Sequence, residues 1–255
     1  MLGPLLFLLY TADLHLTATG HGFRSHYYAD DSQLYISCSP DEAQQSRTRK
    51  RTIKCIADIK AFMWSNRLRL NPTKTEFLWC ATARRREQVN LKPIHIDAVD
   101  IAPSANVRNL VGVMMDGDFL MTAHVKKQVR SCFHSLRQIR VIRRSLTKET
   151  AKMLVCSFIC SRIDYWNAVF AGLPRSTTNH LDSVLYDAAR MISGRSKHDH
   201  ITSVLRDELH WLPVPQRVIY KLCLTTYKAI NSTAPSYIAV RAFVNEPGSS
   251  TPTFF

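Results

Sequence analysis

Two adjacent carboxylates, Asp30 and Asp31, are the residues of this sequence best suited to chemistry. They follow Tyr28 and Ala29, and the segments on both sides are rich in residues that favour β-strands. A tight turn between two strands can direct both side chains toward one point, where they could share Mg²⁺ with substrate phosphates. Two such ions can stabilise the attacking and leaving oxygens of a phosphoryl transfer. The alternative is an ordinary polar turn, in which Asp is common.

The elements predicted around this pair are two short strands followed by a long helix. The β-formers predict strands over 23–29 and 33–38. The helix is predicted to begin at Ser39, with Glu42 completing a capping box, and to end near Trp64. The strands would present the carboxylate pair.

Farther along the chain the pattern changes from strand to helix. Asn71-Pro72 predicts a turn, residues 76–82 a strand, and residues 84–118 β-structure that includes a strand over 107–115. From Thr122 onward the apolar spacing is that of helices. Further helices are predicted to begin at Thr147 and to cover 181–192 and 215–230.

Several protein classes are excluded by composition and patterning. No apolar run approaches the ~20 residues of a membrane-spanning helix. The seven cysteines are odd in number and scattered, which argues against a disulfide framework. The first ten residues lack the basic start and the cleavage site of a secretory signal, so the run from Leu5 to Leu14 predicts a buried helix instead. We therefore expect an intracellular protein, in the cytoplasm or the nucleus, rather than the alternative of a secreted helical protein.

Two other groups of metal-ligand residues are weaker candidates. Cys156 and Cys160 are four residues apart, but no second Cys or His pair lies near them at zinc-site spacing. His198, His200 and His210 could be taken for a cluster. We interpret all of them as structural thiols and as core or surface imidazoles.

An excess of basic residues predicts a polyanionic partner. Lys and Arg total 34 against 20 Asp and Glu, for a formal net charge of +14, and nucleic acid is the usual partner of such a chain. The basic runs 47–54 and 84–86 also fit solvated surfaces. The candidate nucleic-acid-binding residues are Lys126, Lys127, Arg130, Arg137 and Arg140.

The segment Tyr28 to Asp31 resembles the YADD motif of the reverse transcriptases of LINE-like, non-LTR retrotransposons of the jockey and chicken-repeat type. Leu70 to Glu76 resembles the next palm motif, and Val107 to Asp116 resembles the strand that holds the primer end. The resembling segments follow the order of the family and are residues 2–14, 28–31, 70–76, 107–116, 161–174 and 200–221.

The resemblance implies an α+β fold. Residues 1–80 would be the C-terminal part of a polymerase palm, with the YADD hairpin and its helices. Residues 81–120 would be a β-rich, primer-grip-like junction, and 121–245 an all-helical thumb and downstream region. Residues 246–255 are predicted to be a frayed tail.

The resemblance also implies a site and its partners. Asp30 and Asp31 would be catalytic metal ligands for Mg²⁺ or Mn²⁺, flanked by Tyr28 and Ala29. Lys74 would act near the leaving pyrophosphate, although a solvated surface lysine is the alternative. The partners would be an RNA template, a DNA primer and nucleotides, and the reaction would be RNA-directed DNA polymerisation. The basic helix after Thr122 would be part of the thumb.

Two departures from the family pattern limit this expectation. The family needs another Asp upstream of the 2–14 segment, and Asp13 is the sole acidic residue before Asp30. Val111 is an extra residue, and an insertion in a strand creates a bulge or turns the following side chains over. We therefore expect a polymerase fragment that is inactive alone; the alternative is a non-catalytic nucleic-acid-binding remnant.

Overall fold

The computed structural model describes residues 2–96, 99–108, 112–236 and 238. The fold is mixed α+β, and the chain divides into two compact units, Met1–Leu120 and Met121–Phe255. The predictions that concern Val111 and the tail 246–255 lie outside the described residues.

The first unit begins with two short helices, a hairpin and a long helix. Their bounds are α1 Leu2–Tyr10, α2 Leu14–Gly20, β1 Arg24–Tyr28, β2 Asp31–Tyr35 and α3 Glu42–Ser65. A buried cluster joins α2 and α3 beneath the hairpin and consists of Leu14, Ala18, Phe23, Cys55 and Ile59. Tyr27, Leu34 and Ile36 of the hairpin region pack against it.

Two predictions for this segment were wrong in detail. The predicted buried helix over 5–14 ends at Tyr10, and its side chains are exposed, with Leu5 at 56% and Leu9 at 66%. The long helix does not use Ser39 as its cap: Asp41 accepts a hydrogen bond from the Gln44 backbone N–H at 3.0 Å. A negatively charged side chain at the N-terminus of a helix also interacts favourably with the helix dipole.

The rest of the first unit consists of short elements. They are a 3₁₀ turn at Pro72–Lys74, then α4 Ala83–Arg86, β3 Ile94–Ile96, β4 Val99–Ile101, β5 Asn106–Arg108 and β6 Met114–Asp116. The strands form two antiparallel hairpins, β3 with β4 and β5 with β6. A second buried cluster of Ile94, Ile96 and Ile101 packs against Ile56 of α3.

Three predictions for this region need correction. The strand over 76–82 is reduced to a single bridge between Phe77 and Pro103. The single strand over 107–115 is a hairpin in which Val107 pairs with Met115, because apolar residues in two paired strands imitate one continuous run. The basic residues at 84–86 belong to the short helix α4 rather than to β-structure.

The second unit is helical, as predicted. Its elements are α5 Thr122–Ile142, α6 Lys148–Val155, a π-helical turn Cys156–Cys160, α7 Ser161–Asp164, α8 Arg175–Ser193, a second π-helical turn Val204–Glu208 and α9 Val214–Ile230. Thr147 caps α6 as expected, since its Oγ1 accepts from the Thr150 N–H at 3.1 Å. The largest fully buried side chains include Leu136, Ile159, Ile163, Leu181 and Leu185.

Candidate nucleic-acid interface and metal-binding hairpin

The motif Tyr28 to Asp31 forms the end of the β1–β2 hairpin. Tyr28 pairs with Asp31 as the last rung of the ladder, so Ala29 and Asp30 are the two loop residues. Ala29 has a φ of 52°, the positive value required at the first position of the two-residue turns that close hairpins. Asp30 therefore lies in the turn itself, and Asp31 is already part of a strand.

Contacts behind this tip hold the hairpin. The phenol of Tyr35 and the His26 imidazole are hydrogen-bonded at 2.9 Å and stacked with 5.3 Å between ring centroids. Tyr27 faces the buried cluster, and desolvation raises the pKa of its phenol. One face of the hairpin is thus anchored, while the tip is left in solvent.

Both carboxylates at the tip are exposed and, among the described residues, neither has a hydrogen-bond or ion-pair partner. Exposed carboxylates with available oxygens fit Mg²⁺, which usually keeps several waters and takes one or two carboxylates. No group of three His, Cys, Asp or Glu that could hold a metal occurs in the described part of the chain. The donor set at this hairpin is therefore a carboxylate pair.

Lys74 lies at the end of the 3₁₀ turn Pro72–Lys74, where its side chain is exposed. The turn is fixed by Asn71, whose Oδ1 accepts from the N–H of Thr73 at 3.1 Å and from its hydroxyl at 2.7 Å. No ion pair joins Lys74 to Asp30 or Asp31 within the described residues. The structure confirms the turn and leaves the catalytic role of Lys74 as a proposal.

A basic stripe runs along α5 in the second unit. We define it as Lys126, Arg130, Arg137 and Arg140, which helical geometry places within an arc of about 80° and over about 20 Å of helix. All four are exposed, as is Lys127 beside them. None has an acidic partner in the described part of the chain, and residues 119–148 contain no Asp or Glu.

The opposite face of α5 is buried and fixes the orientation of the helix. Val125, Cys132, Leu136 and Ile139 lie in the core, and burial raises the pKa of the Cys132 thiol to about 11. Gln128 donates to the backbone carbonyl of Arg162 at 2.9 Å. With this face held, the basic stripe must point to solvent.

Polar contacts between helices stabilise the second unit, and none of them was predicted from the sequence. Asp182 accepts from the backbone N–H of Val214 at 2.8 Å, and Asp164 pairs with Arg217 at 2.7 Å. Arg143 donates to the carbonyls of Met191 and Ile192 at the C-terminus of α8. For Asp182 the sequence did offer an indication of a structural role, because it is a lone carboxylate in an otherwise apolar face of its helix.

Neither of the two weaker metal candidates is part of a group of three potential metal ligands in the described part of the chain. His198, His200 and His210 are exposed and belong to no cluster of potential metal ligands among the described residues. Cys156 and Cys160 are free thiols, and burial raises the pKa of Cys160 to about 12.

Comparisons with models of protein families, with curated proteins and with solved structures found no match to this chain. None of the helices described is both long and apolar enough to cross a membrane.

Proposed function

We propose that this chain binds nucleic acid through the basic stripe of α5, as a fragment of a reverse transcriptase of the non-LTR retrotransposon type. The observation that carries the proposal is the stripe itself: Lys126, Arg130, Arg137 and Arg140 are exposed on one helix face with no acidic partner among the described residues. Unpaired cations on a rigid element attract phosphates over a distance of about 8 Å at physiological salt.

The spacing of the stripe favours a nucleic-acid backbone over a small anion. About 20 Å of helix corresponds to roughly six phosphates along one strand, which are about 3.4 Å apart along the duplex axis. Lys and Arg contacts to phosphate position a protein on a duplex without reading its sequence. The proposed ligand is therefore a template–primer duplex, bound with little sequence preference.

Binding of a short DNA or RNA–DNA duplex at two salt concentrations tests this function. Four phosphate contacts predict an affinity loss of about 100-fold between 50 mM and 200 mM salt. Fluorescence anisotropy with a labelled duplex measures it. An affinity that is the same at both concentrations would refute phosphate binding by the stripe.

The hairpin supports a second candidate function, a contribution to nucleotidyl transfer. In that reaction the primer 3′-hydroxyl attacks the α-phosphate of a nucleotide and pyrophosphate leaves. Mg²⁺ bound at the carboxylates would stabilise the charge that develops on the phosphate oxygens. Asp30 and Asp31 would hold the cation from the turn and the adjacent strand, and Lys74 would meet the leaving pyrophosphate.

The chain supplies a carboxylate pair without a third ligand among the described residues, so catalysis is expected to need a further segment. Primer extension on an RNA template with the 255-residue chain should give no product above background. Product that appears and is abolished by Asp30→Ala would show instead that the chain is a competent polymerase.

A further inference from the structure

We propose that the exposed face of α9 in the second unit binds single-stranded nucleic acid by stacking bases on Tyr220 and Tyr227. The two tyrosines are 60% and 64% exposed, and each is followed directly by a lysine, Lys221 and Lys228. Exposed aromatic rings beside cations are the usual platform for unpaired bases. The inference goes beyond the proposed duplex binding and uses no residue of the α5 stripe.

Helical geometry aligns the two Tyr-Lys pairs in parallel rows. The pairs are seven residues apart, so Tyr227 projects within about 20° of Tyr220 and lies about 10.5 Å farther along the helix axis. Lys221 and Lys228 form a second row, about 100° around the helix from the first. The distance between the tyrosines corresponds to about three steps of a strand whose stacked bases are about 3.4 Å apart. One short strand can therefore reach both rings and both ammonium groups.

The opposite face of α9 is buried and holds the tyrosines outward. Val214, Val218 and Ala229 lie in the core, and Val218 is about 160° around the helix from Tyr220. The start of the helix is also fixed, because Asp182 of α8 accepts a hydrogen bond from the Val214 backbone N–H at 2.8 Å. With this face held, the tyrosine row must point to solvent.

Apolar side chains flank the tyrosines on the side away from the lysines. Ile219 and Ile230 are 59% and 58% exposed, and helical spacing places them about 60–100° from the tyrosine row. The order across the helix is thus apolar, aromatic and cationic, which matches a strand with its bases on one side and its phosphates on the other. A duplex keeps its bases stacked on one another and offers no free face to the tyrosines, so this surface should add nothing to duplex binding.

The charge of this surface favours an anionic strand over an apolar peptide or a second copy of the chain. The ammonium groups of Lys221 and Lys228 are exposed, and within the described residues neither has a hydrogen bond or an ion pair. Arg217, the other cation of α9, is already paired with Asp164 at 2.7 Å. No Asp or Glu occurs over residues 209–245, so no carboxylate of this segment competes for the lysines. A strand supplies a phosphate for each lysine and a base for each ring, whereas an apolar partner would leave both charges uncompensated.

The test compares two single-stranded DNA oligomers with the full chain: a ten-residue oligothymidylate and an abasic oligomer with the same number of phosphates. Stacking on two tyrosines predicts at least about tenfold tighter binding of the oligothymidylate. The double variant Tyr220→Leu with Tyr227→Leu should abolish this preference. The double variant Tyr220→Phe with Tyr227→Phe keeps both aromatic faces and should retain most of it. Trp64→Leu is the matched control, an aromatic residue 75% exposed on α3, and should change nothing.

The ratio of the two affinities separates this inference from the proposed function. Replacing the α5 stripe by Gln would weaken binding of both oligomers equally and leave their ratio unchanged. Lys221→Gln with Lys228→Gln should also keep the ratio, while it reduces the slope of log affinity against log salt by about 1.4 for both oligomers.

A ratio that is the same in wild type and in the double Leu variant would overturn stacking. A preference lost equally in the double Phe and double Leu variants would do the same, because the phenol hydroxyls and not the rings would then be responsible. Sedimentation that shows a dimer disrupted by the double Leu variant would assign the α9 face to a second copy and also overturn the inference.

Discussion

Tyr28 and Asp31 lie directly opposite each other as the final pair of the β1–β2 ladder. Side chains of directly opposed residues project from the same face of a hairpin. The first and last residues of the YADD segment therefore share a face, and Asp30 comes from the turn between them. The two carboxylates thus have different backbone settings, one in the turn and one in a strand.

The turn stores strain that a glycine would release. A non-glycine residue at positive φ costs about 1–2 kcal/mol. Glycine removes this cost, but it also raises the conformational entropy of the unfolded chain, so only part of the cost is gained as stability. Ala29→Gly should raise the free energy of unfolding by up to about 1 kcal/mol. Chemical denaturation measures it. The control is Ala57→Gly in the middle of α3, which should instead lower stability by about 1 kcal/mol; a loss at both positions would contradict the turn geometry.

Magnesium should stabilise the chain through the carboxylate pair. At ten times the dissociation constant, a cation bound only by the folded state adds about 1.4 kcal/mol to the free energy of unfolding. The melting temperature should therefore rise with Mg²⁺ in wild type and much less in Asp30→Asn. Asp13→Asn, which removes an exposed carboxylate before α2, should keep the full response. Equal responses in all three proteins would argue that the pair is only a polar turn.

The sequence predicted the elements whose signals are local and strong. Helices α3, α5, α8 and α9 lie where apolar spacing places them. The predicted hairpin forms at the carboxylates, but its second strand begins at Asp31 rather than at residue 33, so that Asp31 lies in β2 and not in the turn. The short strands of 76–115 were misplaced because three-residue strands have too few positions to show alternation. The leucines of α1 were expected to be buried because burial was inferred from their hydrophobicity. The exposure of a side chain depends instead on which helices and strands pack against it in the folded chain.

The site was predictable only in part. Lys126, Lys127, Arg130, Arg137 and Arg140 were predicted as nucleic-acid-binding residues, and the structure places all five exposed on α5. Arg143, which belongs to the same basic run, turned out to be a structural residue. Only the position of the α8 carbonyls, about fifty residues away in sequence, distinguishes it from its neighbours.

Arg143 should be a stabilising residue and Arg144 should not. The Arg143 guanidinium donates to the carbonyls of Leu146, Met191 and Ile192 at 2.8–3.0 Å. Since hydrogen bonds from charged groups contribute about 1.5–3 kcal/mol, Arg143→Ala should lower the free energy of unfolding by about 2 kcal/mol or more. The exposed Arg144→Ala removes the same charge and should cost less than about 0.5 kcal/mol. Equal losses in urea unfolding would show that charge, and not these bonds, is responsible.

Asp182 should give the stability of the second unit a characteristic pH dependence. Burial raises the pKa of this carboxyl above its ordinary value of 3.8, although the Val214 N–H opposes the shift. The folded state therefore binds a proton more tightly than the unfolded state. The contribution of Asp182 to the free energy of unfolding should fall as pH rises from 3.8 through the raised pKa.

Asp182→Asn keeps an acceptor for the Val214 N–H and cannot ionise. Urea unfolding of both proteins across this pH window isolates the effect as a difference. Relative to wild type, the Asn protein should become progressively more stable as pH rises. A difference that stays constant with pH, or that changes in the opposite direction, would show that Asp182 does not titrate as its burial implies.

The most direct measurement is the salt dependence of duplex binding by two variants with the same net charge. In one, the stripe residues Lys126, Arg130, Arg137 and Arg140 are all changed to Gln. In the other, four exposed cations that are far apart in the sequence are changed to Gln, namely Arg24, Lys92, Lys197 and Lys228. Each lost phosphate contact reduces the slope of log affinity against log salt by about 0.9. We predict that the stripe variant loses a slope of about 3.6 and the dispersed variant keeps nearly the wild-type slope; equal slopes in the two variants would contradict the account.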